Sequence, residues 1–159
     1  MCYFRAGTSE SWRPDYKELQ KFNLGKICKA DDCKTFWGGE QWIDPKSKEV
    51  WDVMRKRIKM AADKGCDAID PDNMDFYDNQ ISGPRGKVKL SEADSVRYLK
   101  FMSEEAGKFN MSTGLKNSIS ILPQVQSHIA FAVNEECVKN KECGGYGSFL
   151  ARNKPVFHI

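Results

Sequence analysis

The chain has 159 residues, 40% of them apolar and 30% charged, the balance of one soluble globular domain with a sizeable core. Net charge is +3 with the signs interleaved, so the one-sided basic stripe of a nucleic-acid binder is missing. No apolar run approaches the ~20 residues a membrane-spanning helix needs, which leaves neither nucleic acid nor membrane as an expected partner.

Taken in order, residues 2–6 (CYFRA) predict a short strand and not a secretion leader, and Tyr16 to Phe22 predict one or two helical turns. Residues 23–40 read as irregular, and Gln41 to Asp44 as a second, very short strand. Asp44-Pro45 has the form of a helix start, with the aspartate as cap and proline in the first turn. Val50, Met54, Ile58, Ala61 and Ala62 then recur at three- and four-residue spacing, and Gly65 ends that helix. Cys66 to Ile69 predict a third strand. After a Gly/Pro loop, Ser91 and Asp94 mark a capping box, followed by the stripe Val96, Leu99, Met102 and Ala106. Met111 to Lys116 predict a fourth strand and Ser118 to Gln126 a short helical stretch. His128 to Val133 predict a fifth strand and Lys154 to Ile159 a sixth.

Strands alternating with helical crossovers imply a parallel sheet. Polar groups gather after the C-terminal ends of these strands, the asymmetry of a (β/α)8 TIM barrel, here an incomplete barrel of about six parallel strands. No glycine-rich phosphate loop follows a strand, and acidic strand ends would repel phosphate. The densest polar cluster holds Asp67, Asp70, Asp72 and Asp75. Counting by twos, Asp70 and Asp72 project to one side of an extended chain, where the amide of Asn73 joins them. A second cluster, Asn134, Glu135 and Glu136, ends the fifth strand. Strand ends ~4.8 Å apart can bring such acids to the separation used to cleave a glycosidic bond, one protonating the leaving oxygen while the other attacks or activates water. Asp72 is the expected first catalytic carboxylate. Lys116 and Asn117 end the strand between and could hydrogen-bond sugar hydroxyls, and Trp12, Trp37 and Trp42, in or beside loops on the same face, could stack on sugar rings; Asp44 also stands at a strand end. The acids do not follow a calcium-loop pattern.

Six cysteines are a high count for this length. Cys28 with Cys33, and Cys137 with Cys143, flank short polar loops and read as local disulfides, which implies an oxidising compartment. Cys2 and Cys66 read as buried free thiols. Neither pair has the spacing of a zinc ribbon, and His128 and His158 are the only histidines, so no metal site is expected. Asn110-Met111-Ser112 forms an N-glycosylation sequon.

Six segments in order, CYFRAG with WRPD downstream, WGGEQWID, GCDAIDPDNMDFY, STGLKN, FAVNEEC and KPVFHI, together resemble glycoside hydrolase family 114 over nearly the whole chain. These are the endo-α-1,4-polygalactosaminidase-type TIM barrels, some of which carry an α-galactosidase label. The resemblance implies a single domain over residues 1–159 that cleaves α-linked galactosamine-type polysaccharide or oligosaccharide. It also implies no cofactor, a secreted extracellular protein and a monomeric complete form. It places the two catalytic carboxylates at Asp72 and Glu135, leaving open which is nucleophile, which is proton donor and whether configuration is retained. Asp44, Asp70, Asn73, Asp75, Lys116, Asn117, Asn134 and Glu136 are then expected to bind substrate. The family usually has glutamate where Asp70 stands, one methylene longer. A closed barrel needs ~200 residues or more, so the expectation is a member truncated at both ends, with doubtful activity. The reading from another class is a non-catalytic sugar-binding or degenerate barrel.

Overall fold

The computed structural model describes residues 1–28, 36–79, 81–83 and 86–159. Strands β1 (Cys2–Arg5) and β2 (Thr8–Glu10) lead into the single turn α1 (Tyr16–Leu19), then β3 (Asn23–Cys28) and β4 (Phe36–Ile43). Helix α2 (Lys48–Asp63) precedes β5 (Ala68–Asp72), and a small hairpin of β6 (Ile81–Gly83) and β7 (Gly86–Val88) precedes α3 (Glu92–Gly107). The rest is β8 (Ser112–Lys116), α4 (Leu122–Val125), β9 (Phe131–Asn134), α5 (Cys137–Asn140), α6 (Gly147–Leu150) and β10 (Val156–His158).

Strands β1, β5, β8, β9 and β10 pair in that order into one sheet, every pairing parallel. The α/β alternation therefore holds, with five parallel strands where about six were expected. Gln41–Asp44 is the difference: Gln41 to Ile43 are the end of β4, which runs antiparallel between β2 and β3. This small sheet occupies much of the stretch that reads as irregular. The buried apolar side chains of β3, Leu24 and Ile27, are three apart, out of step with strict alternation, and two register shifts in the β3–β4 pairing reconcile them. Gly38 and Gly39 hide β4 in the same way, because glycine pairs signal turns.

Each long helix follows its apolar stripe. Val50, Val53, Met54, Arg57, Ile58 and Ala61 are the buried residues of α2. Its cap is Ser47, not Asp44. The Asp44 carboxylate instead accepts the Lys46 N–H at 3.0 Å, a local turn that competes with capping. At the other end Gly65 takes a φ of 77°, while Gly65 N–H donates to Ala62 O and Cys66 N–H to Ala61 O. That pair of bonds closes the helix in a Schellman turn, as the glycine predicts. The expected capping box of α3 is formed by Ser91 and Asp94.

One face of the sheet (Phe4, Ile69, Leu115 and Ala132) joins Met54 and Ile58 of α2 and Leu99 and Met102 of α3 in a single core. Each such fully buried side chain contributes ~1.5–3 kcal/mol. Three polar side chains cross this layer to backbone at the C-terminal strand ends. Arg57 donates to Arg5 O at 2.6 Å and clasps Asp15 at 2.7 and 2.9 Å. Tyr98 donates to Ala6 O at 3.0 Å, and Ser95 to Met74 O at 2.7 Å.

Cys137 and Cys143 are bridged as expected. The Cys28–Cys33 expectation falls on Cys33, outside the described residues. Cys2 and Cys66 are not free thiols but a disulfide. Parallel pairing sets Cys2 level with Ile69, which brings the Cys66 Cα to 5.9 Å, within bridging distance. With a sequence separation of 64, loop-closure entropy makes this bridge worth about 4 kcal/mol.

Candidate active site

The strand faces opposite the core converge at the C-terminal ends on a cavity of about 400 Å³. Asp72, from the last position of β5, and Lys116, from the last of β8, form its floor; Glu135 follows β9 directly. The buried Lys116 ammonium bonds to both acids, 3.3 Å from Asp72 Oδ1 and 3.2 Å from Glu135 Oε2. Those two carboxylate oxygens are therefore no more than about 6.5 Å apart, the sum of the two contacts.

The turns that present these groups share one device. The residue after Asp72, the residue after Lys116 and the residue after Glu135 all take positive φ: Asn73 at 61°, Asn117 at 49° and Glu136 at 60°. Asparagine tolerates this region and glutamate rarely does, so the reversal after Glu135 is held by tertiary contacts. Glu136 N–H donates to Ile159 O at 3.1 Å, and Glu135 N–H donates to the Asn117 side-chain oxygen at 2.8 Å. At Asn73, Thr8 donates to the amide oxygen at 3.1 Å, while the Asp72 carbonyl accepts from Ala6 and Gly7 N–H.

Burial by itself would raise the Asp72 pKa, but a hydrogen bond from the Tyr3 hydroxyl at 2.5 Å and the Lys116 charge overcome it. The net direction is downward, and Asp72 is ionised. Burial also works against the Lys116 ammonium, yet the two carboxylates win and raise its pKa. Asp75, on the cavity wall, is pushed up to about 6 by burial, with the charge of Asp72 adding to the effect. Arg5 completes the network, reaching Glu40 at 3.0 Å, Glu10 at 3.4 Å and Asp72 at 3.6 Å. Glu10 and Glu40 face each other across β2 and β4, a like-charge pairing that Arg5 offsets. Arg13 makes a further bond to Glu10 at 2.7 Å. Glu40 has burial first, then repulsion from Glu10 and Asp72, raising its pKa against Arg5.

Six expected site residues line the cavity: Asp72, Asn73, Asp75, Lys116, Asn117 and Glu135, together with Trp37. The others do not. Asp44 is engaged in its turn before α2. Asn134 points to the opposite face of β9, where its amide donates to Tyr146 Oη at 3.0 Å and Glu142 Oε1 at 3.2 Å. Glu136 is turned out to Lys139 by its own positive φ. Trp42 is core, and Trp12 is exposed and does not line the cavity. Asp70 shares the Asp72 side of β5 but lies deeper, 4% exposed, with its Oδ1 lacking a hydrogen-bond partner. Tyr3, Arg5 and Glu40 also line the cavity, outside the expected set. Tyr3 and Arg5 alternate along β1 just as Asp70 and Asp72 do along β5, and that alternation is the signal that finds them.

Burial raises Asp70 to about 6, opposed by Lys116 and reinforced by Asp72. A carboxyl that holds its proton more tightly folded than unfolded makes stability fall as pH rises, here from about 3.8 through about 6. Asp70→Asn should therefore raise Tm at pH 7 and change it little at pH 3.5, read by calorimetry at both. Equal shifts at the two pH values would show that the charge of Asp70 carries no such penalty.

The model of glycoside hydrolase family GH114 matches residues 1–159. Among solved structures, Aspergillus fumigatus Ega3 in complex with galactosamine is 42% identical, with a TM-score of 0.86. That match covers 99% of this chain and 59% of Ega3, so the chain spans under two thirds of that relative. The glycoside hydrolase domain of Pseudomonas aeruginosa PelA, in its E218A variant, superposes with a TM-score of 0.64 at 11% identity. It covers 97% of this chain and 64% of the other, and speaks for the fold alone. A comparison with curated proteins returns no match. Matched along its whole length by the family model, and sharing sequence and fold with a solved structure over nearly all of it, the chain belongs to glycoside hydrolase family 114.

Proposed function

We propose that this chain forms a single domain carrying the acid pair of a glycosidase that cleaves α-linked galactosamine-type polysaccharide. The observation that carries the reading is the Lys116 ammonium, bonded to Asp72 and Glu135 at once on the cavity floor. An upper bound of about 6.5 Å reaches only the lower edge of the range inverting enzymes use to seat a water, which favours a retaining mechanism through a glycosyl-enzyme intermediate. Asp72, ionised by Tyr3 and Lys116, is suited to attack the anomeric carbon and unsuited to donate a proton. Glu135, at the exposed rim, then protonates the leaving oxygen and later activates water. The assay is release of reducing ends from an α-1,4-galactosamine polymer; binding of the polymer with no cleavage would favour the non-catalytic alternative.

The cavity also supports the kind of sugar. Glu40, Asp72, Asp75 and Glu135 line it against two cations, Arg5 and Lys116. An acid excess favours a protonated amino sugar over a neutral one. Glu40→Gln should raise KM for the deacetylated polymer roughly 10–150-fold, the worth of one charge-assisted contact, and leave KM for the N-acetylated polymer unchanged. Equal losses on both polymers would remove Glu40 from amine recognition. Disulfides at Cys2–Cys66 and Cys137–Cys143 support an extracellular setting. Among the described residues no helix is long and apolar enough to cross a membrane.

A further inference from the structure

The end of the sheet opposite the cavity holds a feature that sugar cleavage does not use. Helix α3 closes in a Schellman turn whose left-handed residue is Asn110, at φ 57°. Asn110 N–H donates to Gly107 O at 3.0 Å, and Met111 N–H donates to Ala106 O at 3.1 Å. β8 starts at the next residue, Ser112, whose N–H donates to Asp67 O at 2.9 Å. The backbone of this turn is thus tied down while its side chains part. Met111 is 6% exposed and belongs to the core, whereas Asn110 and Ser112 on either side of it are both exposed. Burying only the middle residue leaves the two chemically necessary residues of the Asn-Met-Ser sequon on the surface.

We propose that Asn110 is a site of N-linked glycosylation when the chain passes through the secretory compartment of a eukaryotic cell. The acceptor is the Asn110 side-chain amide, and the donor is a polyprenyl-diphosphate-linked oligosaccharide. The amide nitrogen forms the bond to the anomeric carbon of the donor, the bond from that carbon to the diphosphate breaks, the amide gives up one proton and the lipid diphosphate departs. The disulfides Cys2–Cys66 and Cys137–Cys143 point to the same oxidising compartment in which this transfer occurs. Two further features fit a glycan here. Phe109, 41% exposed beside the acceptor, offers an apolar face for the first sugar to cover. Lys116 lies at the far end of β8, about 13 Å along the strand from Ser112, so the glycan would project away from the cavity.

Asparagine also suits position 110 simply because it tolerates a left-handed backbone, and the test separates the two roles. Asn110→Gly keeps the turn, since glycine is the preferred residue there, and removes the acceptor. Ser112→Ala keeps the asparagine and removes the hydroxyl the sequon requires. The chain is expressed in yeast behind a cleavable leader, and its intact mass in total cell protein is measured before and after peptide-N-glycosidase treatment. Wild type should lose the mass of one oligosaccharide, and both variants should be unchanged by the enzyme. Two results would overturn the proposal: wild type with the Cys2–Cys66 and Cys137–Cys143 disulfides formed but no mass change, or a mass change that persists in Asn110→Gly.

Discussion

Asp72→Asn and Glu135→Gln should each lower kcat/KM on the galactosamine polymer by at least about 10²–10⁴-fold, the range a positioned acid or base contributes. The two losses should differ in kind. Asp72 is buried and bonded by Tyr3 and Lys116, so, with Asp72 as the proposed nucleophile, its amide should leave no route to the covalent intermediate. A substrate with an activated leaving group, such as a galactosaminyl fluoride, should not rescue it. Glu135 has a side chain 55% exposed, so its amide should leave the fold intact and remove only the proton donor. Here the fluoride should restore the glycosylation step, visible as a burst of released fluoride. Near-normal turnover by Glu135→Gln would end the assignment, and rescue of Asp72→Asn by the fluoride would exchange the two roles.

Gly7→Ala should be strongly destabilising for a single added methyl group. A Cβ at position 7 would stand 1.8 Å from Asn73 O and 2.8 Å from Asn73 C, both backbone atoms. No rotamer change relieves a clash with backbone, so the segment after β1 or the turn after β5 must move. The expected cost is ~3 kcal/mol or more, at the upper end for overpacking, read from denaturant unfolding. Activity should fall as well, because the same turn carries Asp72 and Asn73 and Gly7 N–H donates to Asp72 O at 3.1 Å. Gly38→Ala is the control: nothing lies within 4 Å of its added Cβ, and little change is expected. A Gly7→Ala protein as stable as wild type would show that the close approach of the segment after β1 to Asn73 is not rigid.

What the sequence discloses follows from how regular each signal is. The stripes of α2 and α3 repeat every three or four residues, and both helices lie along them. Asp70 and Asp72 obey the period of two, which places Asp72 correctly; the same rule applied to β1 would have revealed Tyr3 and Arg5. Depth is another matter: periodicity puts Asp70 on the right face and cannot say that it sits below the cavity. Glu136 shows a second limit, since one left-handed residue turns its side chain away from Glu135, its neighbour in sequence. The antiparallel β2–β4–β3 sheet escapes because bulges and glycines erase its alternation, and Glu40 is hidden with it. The Cys2–Cys66 bridge is legible only once β1 and β5 are known to be neighbours, a fact of topology and not of spacing.

Arg57, Tyr98 and Ser95 reach from behind the sheet to the carbonyls of Arg5, Ala6 and Met74. The rim of the cavity is thereby moored to helices that do not line it. Natural variation along α2 or α3, however remote it looks on a map of the cavity, can shift the seating of Asp72 by fractions of an ångström. Differences in rate among family members that share every cavity residue would then originate at the rear of the fold.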